Sequence, residues 1–217
     1  MKNVIKFTLL FLAISTVLVG CKKKADEAST TEAVETTVAT LESVKYMADP
    51  SNSSIEWKGF KPTESHNGTI NLESGVFSIK EDVIESGTFL IDMNSIVVLD
   101  IPADKKGNAN LVGHLKNEDF FDAEKYPNAV FEVTGFETKD GQAMLSGNFT
   151  MKEQKNNITI PVSMSSEGDM LTLTSETFTI DRSKWNVKYG SESFFDNLGD
   201  KVISNDIELK FNIQAKK

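Results

Sequence analysis

A single cysteine, Cys21, and two histidines, His66 and His114, are all that 217 residues offer of the side chains that most often bind metals or form cross-links. One thiol excludes a disulfide framework and a cysteine-rich metal site. A metal shared by histidines 48 positions apart would need carboxylate ligands that no spacing supplies. Positive charge is also short, with 23 Lys and Arg against 32 Asp and Glu and a formal net charge of −9. Nucleic acid is therefore a poor partner, because phosphate binding needs clustered Lys and Arg. Catalytic signatures are missing too: there is no G-x-S-x-G, no H-E-x-x-H and no glycine-rich phosphate loop. Carboxylate pairs such as Glu118/Asp119 and Asp181/Asp206 suit acid–base work. With 32 acids in the chain such pairs arise by chance, and they read as solvated or capping groups. The sequence reads as a binding protein, not an enzyme.

Long apolar runs are absent save one. Residues 7–20 are uncharged and mostly apolar, and Lys2 and Lys6 precede them. As a helix they would reach about 21 Å, short of the ~30 Å hydrocarbon core, so the run has the proportions of a secretory signal. It ends Leu18-Val19-Gly20-Cys21. This resembles the bacterial lipobox, in which signal peptidase II cuts before the cysteine and the thiol receives a diacylglycerol. The competing reading is an ordinary secretory signal that happens to contain a cysteine. Residues 1–20 are expected to be a lipoprotein signal peptide, with Cys21 the lipidation site. Cleavage would leave 21 basic against 32 acidic residues, a charge of −11. The acyl chains would hold the protein in a membrane of the bacterial cell envelope, on the periplasmic side or at the outer-membrane surface. Lys22-Lys23-Lys24 would sit against anionic headgroups.

Residues 25–43 are mostly Ala, Thr, Glu and Ser, without Gly, Pro or aromatic residues. Such a composition buries little and predicts a disordered or weakly helical segment. Residues 21–49 are thus expected to form a flexible, lipid-anchored tether, and residues 50–217 a single folded domain. In that domain Ile207, Leu209, Phe211, Ile213 and Ala215 alternate with Glu208, Lys210, Asn212 and Gln214. Period two marks a strand with one buried face. Similar runs at 54–60, 69–80, 83–93, 129–138, 143–151, 157–165 and 171–180 complete eight candidates. Turn chemistry separates several of them, at Glu81-Asp82, Lys139-Asp140-Gly141, Asn156-Asn157 and Glu167-Gly168-Asp169. The expected class is all-β: an eight-stranded antiparallel barrel, with a two-sheet sandwich as the alternative. One or two short helices would cover its mouth. Leu111, His114 and Leu115 stand at helical spacing within 104–117, and residues 191–198, around Phe194 and Phe195, suit one further turn. His114 is expected to join the helix to the barrel as a hydrogen-bonded packing residue.

Phenylalanine is plentiful, with 12 of 14 lying after the tether. A barrel of eight strands is the size at which side chains either fill the interior or leave room for one small ligand. A long apolar guest would gain about 0.8 kcal/mol per buried CH₂ before ordering costs, with no polar group needed to recognise it. Alternation within each strand selects Phe89, Ile91, Phe131, Val133, Phe149, Leu171, Leu173 and Phe211 as the lining. A register error of one residue would reverse that choice. The alternative is a solidly packed barrel acting as an envelope stress or interaction protein without a small ligand.

The segment Gly113-His114-Leu115-Lys116-Asn117-Glu118-Asp119-Phe120-Phe121-Asp122-Ala123-Glu124-Lys125-Tyr126-Pro127 resembles the signature of the YceI-like domain, the polyisoprenoid-binding lipocalin-like proteins. Phe178-Thr179-Ile180-Asp181-Arg182-Ser183-Lys184-Trp185, and Leu198-Gly199-Asp200-Lys201-Val202-Ile203 before Asp206-Ile207-Glu208-Leu209, resemble its C-terminal pattern. Gly147-Asn148-Phe149-Thr150-Met151 through Ile160-Pro161-Val162 occupies the place of a hairpin motif of that family. The resemblance spans roughly residues 51–215. It implies an eight-stranded antiparallel lipocalin-like barrel whose apolar tunnel holds a polyisoprenoid or the chain of a prenyl quinone, with no other cofactor and no catalytic residue. The implied partners are an apolar long-chain lipid and, through the anchor, a membrane. A homodimer is left open. Two departures stand out: residues 66–73 form a shorter stretch than is typical, and Glu153-Gln154-Lys155 replaces the usual hairpin glycine. A shortened second strand would narrow the tunnel. Asp119-Phe120-Phe121-Asp122 is expected to close the barrel and cap the helix, and Asp181-Arg182 to form a structural ion pair beside a Trp185 plug.

Overall fold

Backbone pairing decides most of this fold, and the computed structural model describes it for residues 25–217. In chain order the strands are β1 (Asp26–Glu27), β2 (Ser29–Glu32), β3 (Val44–Ala48), β4 (Ser54–Phe60), β5 (Ser65–Lys80) and β6 (Val83–Val98). Helix α1 (Lys106–Lys116) follows, then β7 (Asn128–Lys139), β8 (Gln142–Met151), β9 (Gln154–Glu167), β10 (Met170–Ser175), β11 (Phe178–Asp181) and β12 (Asp206–Lys216). Eight of them, β4 to β10 and β12, close a ring of antiparallel neighbours, with β12 returning to β4 from Ile207↔Gly59 to Asn212↔Ser54. Closure gives every strand of the ring two neighbours along part of its length and brings one face of each inside. This is the expected all-β barrel.

Its details correct several expectations. The turn expected at Asn156-Asn157 lies at Lys152-Glu153, whose φ angles of 47° and 63° place both residues in the left-handed region. Two such residues make the tight hairpin that matches strand twist, even without the usual glycine. Asn156 and Asn157 instead sit inside β9. The second ring strand is not short: β5 has 16 residues, as many as β6. The run at 171–180 is two strands, β10 and β11, both paired with β12. Residues 191–198 form no helix; Phe194 and Phe195 both donate backbone N–H bonds to Ser191 O (3.1 and 3.0 Å) in an isolated turn. Short 3-10 turns lie at Arg182–Trp185 and Gly199–Lys201 instead.

The larger correction concerns the tether. Residues 25–48 are not a free linker but a belt around the barrel. β3 is the first half of a broken strand: like β4, it pairs with both β5 and β12, and an Asp49-capped turn separates the two halves. The folded domain therefore begins before residue 50. Further upstream the belt covers two splits in the wall. β10 leaves β9 at Ser175↔Val162, and β11 pairs with β12 but not with β9. Into this gap the chain lays β1, parallel to β11, and β2, antiparallel to β9 from Ser29↔Thr159 to Glu32↔Asn156. On the opposite side β6 and β7 pair only between Thr88–Asp92 and Asn128–Glu132. Beyond that point Thr37 N–H bonds Val133 O (3.3 Å), and Thr40 and Ser43 bond Glu85. Between the two splits, Asn148 donates to Val34 O (2.6 Å) and accepts from Val34 N (3.1 Å). A side-chain amide thus imitates a strand neighbour. Composition misleads here because it gauges apolar burial, whereas the belt is held by backbone groups that the barrel edges require.

Glu85 gives the belt a pH-sensitive latch. Its carboxylate accepts from Ser43 Oγ, Thr40 N (2.8 Å) and Thr40 Oγ1 (2.9 Å), and these bonds, Ser43 first, hold its pKa below the ordinary 4.5. A carboxyl whose folded pKa is depressed contributes fully above its unfolded value and loses that contribution as pH falls through the folded one. We expect the Thr40 amide resonance to titrate below pH 4.5. In Glu85→Ala it should already stand at its released position at neutral pH. A Thr40 amide that ignores both acid and the substitution would rule the latch out.

Candidate functional site

The barrel interior divides into two halves along its axis. In the half away from α1, side chains fill the space. From Tyr46 and Phe77 there, a ladder of rings runs through Phe89 and Phe131 to the other half, with successive centroids 5.9, 5.5 and 6.4 Å apart. Gly87 lies on that ladder, and a Cβ there would come within 2.8 Å of Phe77 Cβ. In the half nearer α1 the side chains stand apart around a cavity of about 170 Å³, whose surface is wholly apolar.

Six of the eight residues selected by alternation line this cavity: Phe89, Ile91, Phe131, Phe149, Leu173 and Phe211. Val133 and Leu171 do not. Both face inward and are buried, but they lie in the filled half. Alternation reports which face of a strand is inside, not how far along the barrel a residue stands. The same parity on β4 and β9 would have added Trp57, Gly59, Ile158 and Ile160, which also line the cavity. Leu115, Phe120 and Phe121 had no such signal, because they come from the helix and the loop after it. Gly147 is needed for the Phe131 ring to lie flat on the wall, since a Cβ there would stand 2.2 Å from the ring.

The cap over the cavity is rigidly built. Asn108 Nδ2 bonds the carbonyls of Val98 (3.0 Å) and Ile101 (2.7 Å), fixing the start of α1 to the end of β6. At the other end, backbone N–H groups of Phe121, Asp122 and Ala123 bond the carbonyls of Leu115, Asn117 and Lys116. The last carbonyls of a helix need such partners. The Asp-Phe-Phe-Asp segment thus caps the helix and also supplies cavity wall. His114 packs against Phe120 (5.7 Å) and edge-on against Tyr189 (4.6 Å), and this burial pushes its pKa down. His66 stands elsewhere, its Nδ1 2.8 Å from Asp100 Oδ2. Among the described residues no group of three His, Cys, Asp or Glu is placed to hold a metal ion.

Arg182 overturns the expected ion pair. Asp181 turns away and accepts from Ser183 N and Oγ (2.9 and 2.6 Å). The Arg182 guanidinium, fully buried, bonds carbonyls instead: Ser204 from Nε (3.0 Å), Val187 from Nη1 (2.5 Å), and Tyr189 and Ile203 from Nη2 (2.9 and 3.0 Å). It lies 5.3 Å from the Phe120 ring centroid. Burial lowers its pKa to about 10, so it remains charged at neutral pH. The forked donor set ties the stretches around residues 187–189 and 203–204 into one block at the barrel end, something a single carboxylate partner would not do. Trp185 is likewise fully buried; it bonds Phe149 O (2.8 Å) and packs edge-on against the Phe149 ring, but it does not line the cavity.

Such a surface is suited to holding apolar matter. An enclosed, wholly apolar cavity of about 150 Å³ stays dry and takes a guest the size of benzene. The cavity here is about 170 Å³, room for a short apolar group but not for a long chain at full length.

A family model for the YceI-like domain matches residues 46–215, starting inside β3 rather than at residue 50. Among solved structures, BcnA of Burkholderia cenocepacia aligns with a TM-score of 0.59 at 20% identity, over 78% of this chain and 99% of that one. A polyisoprenoid binding domain from Saccharophagus degradans, implicated in plant cell wall breakdown, aligns with a TM-score of 0.56 at 14% identity, over 79% of this chain and 97% of that one. These likenesses establish the fold. None of the curated proteins matches the chain.

Proposed function

The chain belongs to the YceI-like domain family, and from that premise we propose that it is an envelope lipoprotein that holds a polyisoprenoid, a prenyl quinone or another long apolar chain in its barrel. The observation that carries this reading is the cavity, which lies between barrel and cap and presents apolar surface alone. With no polar atom facing it, such a site selects for a chain rather than a headgroup, and its work is binding rather than bond-making. A structural relative described as a polyisoprenoid binding domain supports the same ligand class. In this reading Cys21, which lies outside the described residues, carries the lipid anchor and places the barrel at a membrane of the bacterial envelope. The second reading, a packed barrel without ligand, draws on the filled half of the interior and the modest size of the cavity.

Organic-solvent extraction of the purified protein, followed by mass spectrometry, separates the two. A stoichiometric prenyl lipid, or uptake of added prenyl quinone by the emptied protein, is the expected result. Repeated empty extracts without uptake would establish the packed-barrel reading. For the anchor, Cys21→Ser should move the protein from the membrane fraction to the soluble one, and retention in the membrane would sink the lipidation reading.

A further inference from the structure

We infer that the split between β9 and β11 is the portal through which a long apolar ligand reaches the cavity, and that the β1–β2 segment is a movable stave closing it. This rests on the reading of the barrel as a lipid-binding protein and concerns how the ligand gets in. Both flanks of the split belong to the site: Ile158 and Ile160 on β9, and Phe178 and Ile180 on β11, all line the cavity. Hydrogen bonding across the split runs through the belt, β1 to β11 and β2 to β9. Lifting one segment would therefore open the wall without unpairing any two strands of the ring.

The stave is lightly held. Of residues 26–32 only Ala28 is buried. β1 meets β11 over two residue pairs, Ala28 N–H bonds Thr179 O (2.8 Å), and the flanking Glu27–Lys184 ion pair (3.3 Å) is solvent-exposed. Segments with few buried apolar contacts open at low free-energy cost. Elsewhere the barrel is braced: the carbonyl fork of Arg182 and the capped helix hold the α1 end, and Tyr46 and Phe77 of the ring ladder fill the opposite end. The second split, between β6 and β7, fronts a separate cleft of about 410 Å³ between the belt and Phe77, Gly87 and Val133, which shares no lining residue with the cavity. The size of the cavity adds a requirement: at about 170 Å³ it takes a long chain only if the wall parts.

The test locks and loosens the stave in the full-length chain carrying Cys21→Ser. Ser29 and Thr159 face each other in the antiparallel β2–β9 pair, and neither lines the cavity. Facing Cα atoms in such a pair stand about 4.5–5.5 Å apart, within the reach of a disulfide. Ser29→Cys with Thr159→Cys, oxidised, should slow uptake of an added prenyl quinone about tenfold or more, with recovery on reduction. Ala28→Pro removes the donor to Thr179 O and should accelerate uptake. Equal uptake rates in the locked, reduced and Ala28→Pro proteins would overturn the portal while leaving the binding reading intact. Failure of every form, including the parent, to take up quinone would overturn both.

Discussion

Gly59→Leu is expected to abolish prenyl quinone uptake while raising the melting temperature. Gly59 lies on β4 and lines the cavity, and a Cβ built there meets no atom within 4 Å. Its backbone is not in the left-handed region, so a larger residue brings no strain. A leucine at this position would extend into the hollow and occupy the space the ligand needs. Burying a leucine side chain contributes up to about 1.5–3 kcal/mol, and replacing glycine within a strand adds to that. Most substitutions that destroy binding also weaken the fold; here the two should move in opposite directions. Thermal melting and a quinone-binding titration on the same preparation would show it. Undiminished quinone binding by a well-folded Gly59→Leu protein would remove the cavity as the site.

Arg182→Ala should produce the largest loss of stability of any single truncation around the site. Alanine removes every donor from the carbonyls of Val187, Tyr189, Ser204 and Ile203 and opens a void behind Phe120. Each buried acceptor left without a partner costs about 1–3 kcal/mol, and water entering the void offsets part of the total. Relief from burying the cation also counts in favour of the variant. The net expectation is about 3–5 kcal/mol, the scale on which breaking a buried charged network is felt. Arg182→Lys should recover only part of it, because an ammonium on a flexible stem does not reproduce the planar fork. Urea denaturation checks the series, and a loss within about 1 kcal/mol for alanine, the worth of one ordinary hydrogen bond, would show that the fork is dispensable.

These two residues mark how far the site was legible beforehand. Gly59 carried a readable signal, since it continues the inward parity of Ile55 and Trp57 on β4. Arg182 stands beside Asp181 in the sequence, which suggests an ion pair that the fold does not form. Its true partners stand 5 to 22 positions away in loops without regular structure. Alternation gives Val133 and Leu171 the inward face but carries no information on their height in the barrel. The belt was the least legible part, because its anchoring bond from Val34 to Asn148 spans 114 positions.

Local alternation and turn chemistry were enough to determine eight strands of an all-β domain and the helix after the third of them, and the quoted motifs the family, while closure into a ring was left to the pairing of β12 with β4. Those properties depend on residues a few positions apart, whose geometry the backbone periodicities dictate. Only the tertiary structure decided that half the barrel is filled and half is hollow, that a polar leader segment closes two splits in the wall, and that a buried cation is shared among four carbonyls. Each depends on groups brought together by closure of the ring, at distances along the chain over which no periodic pattern carries information.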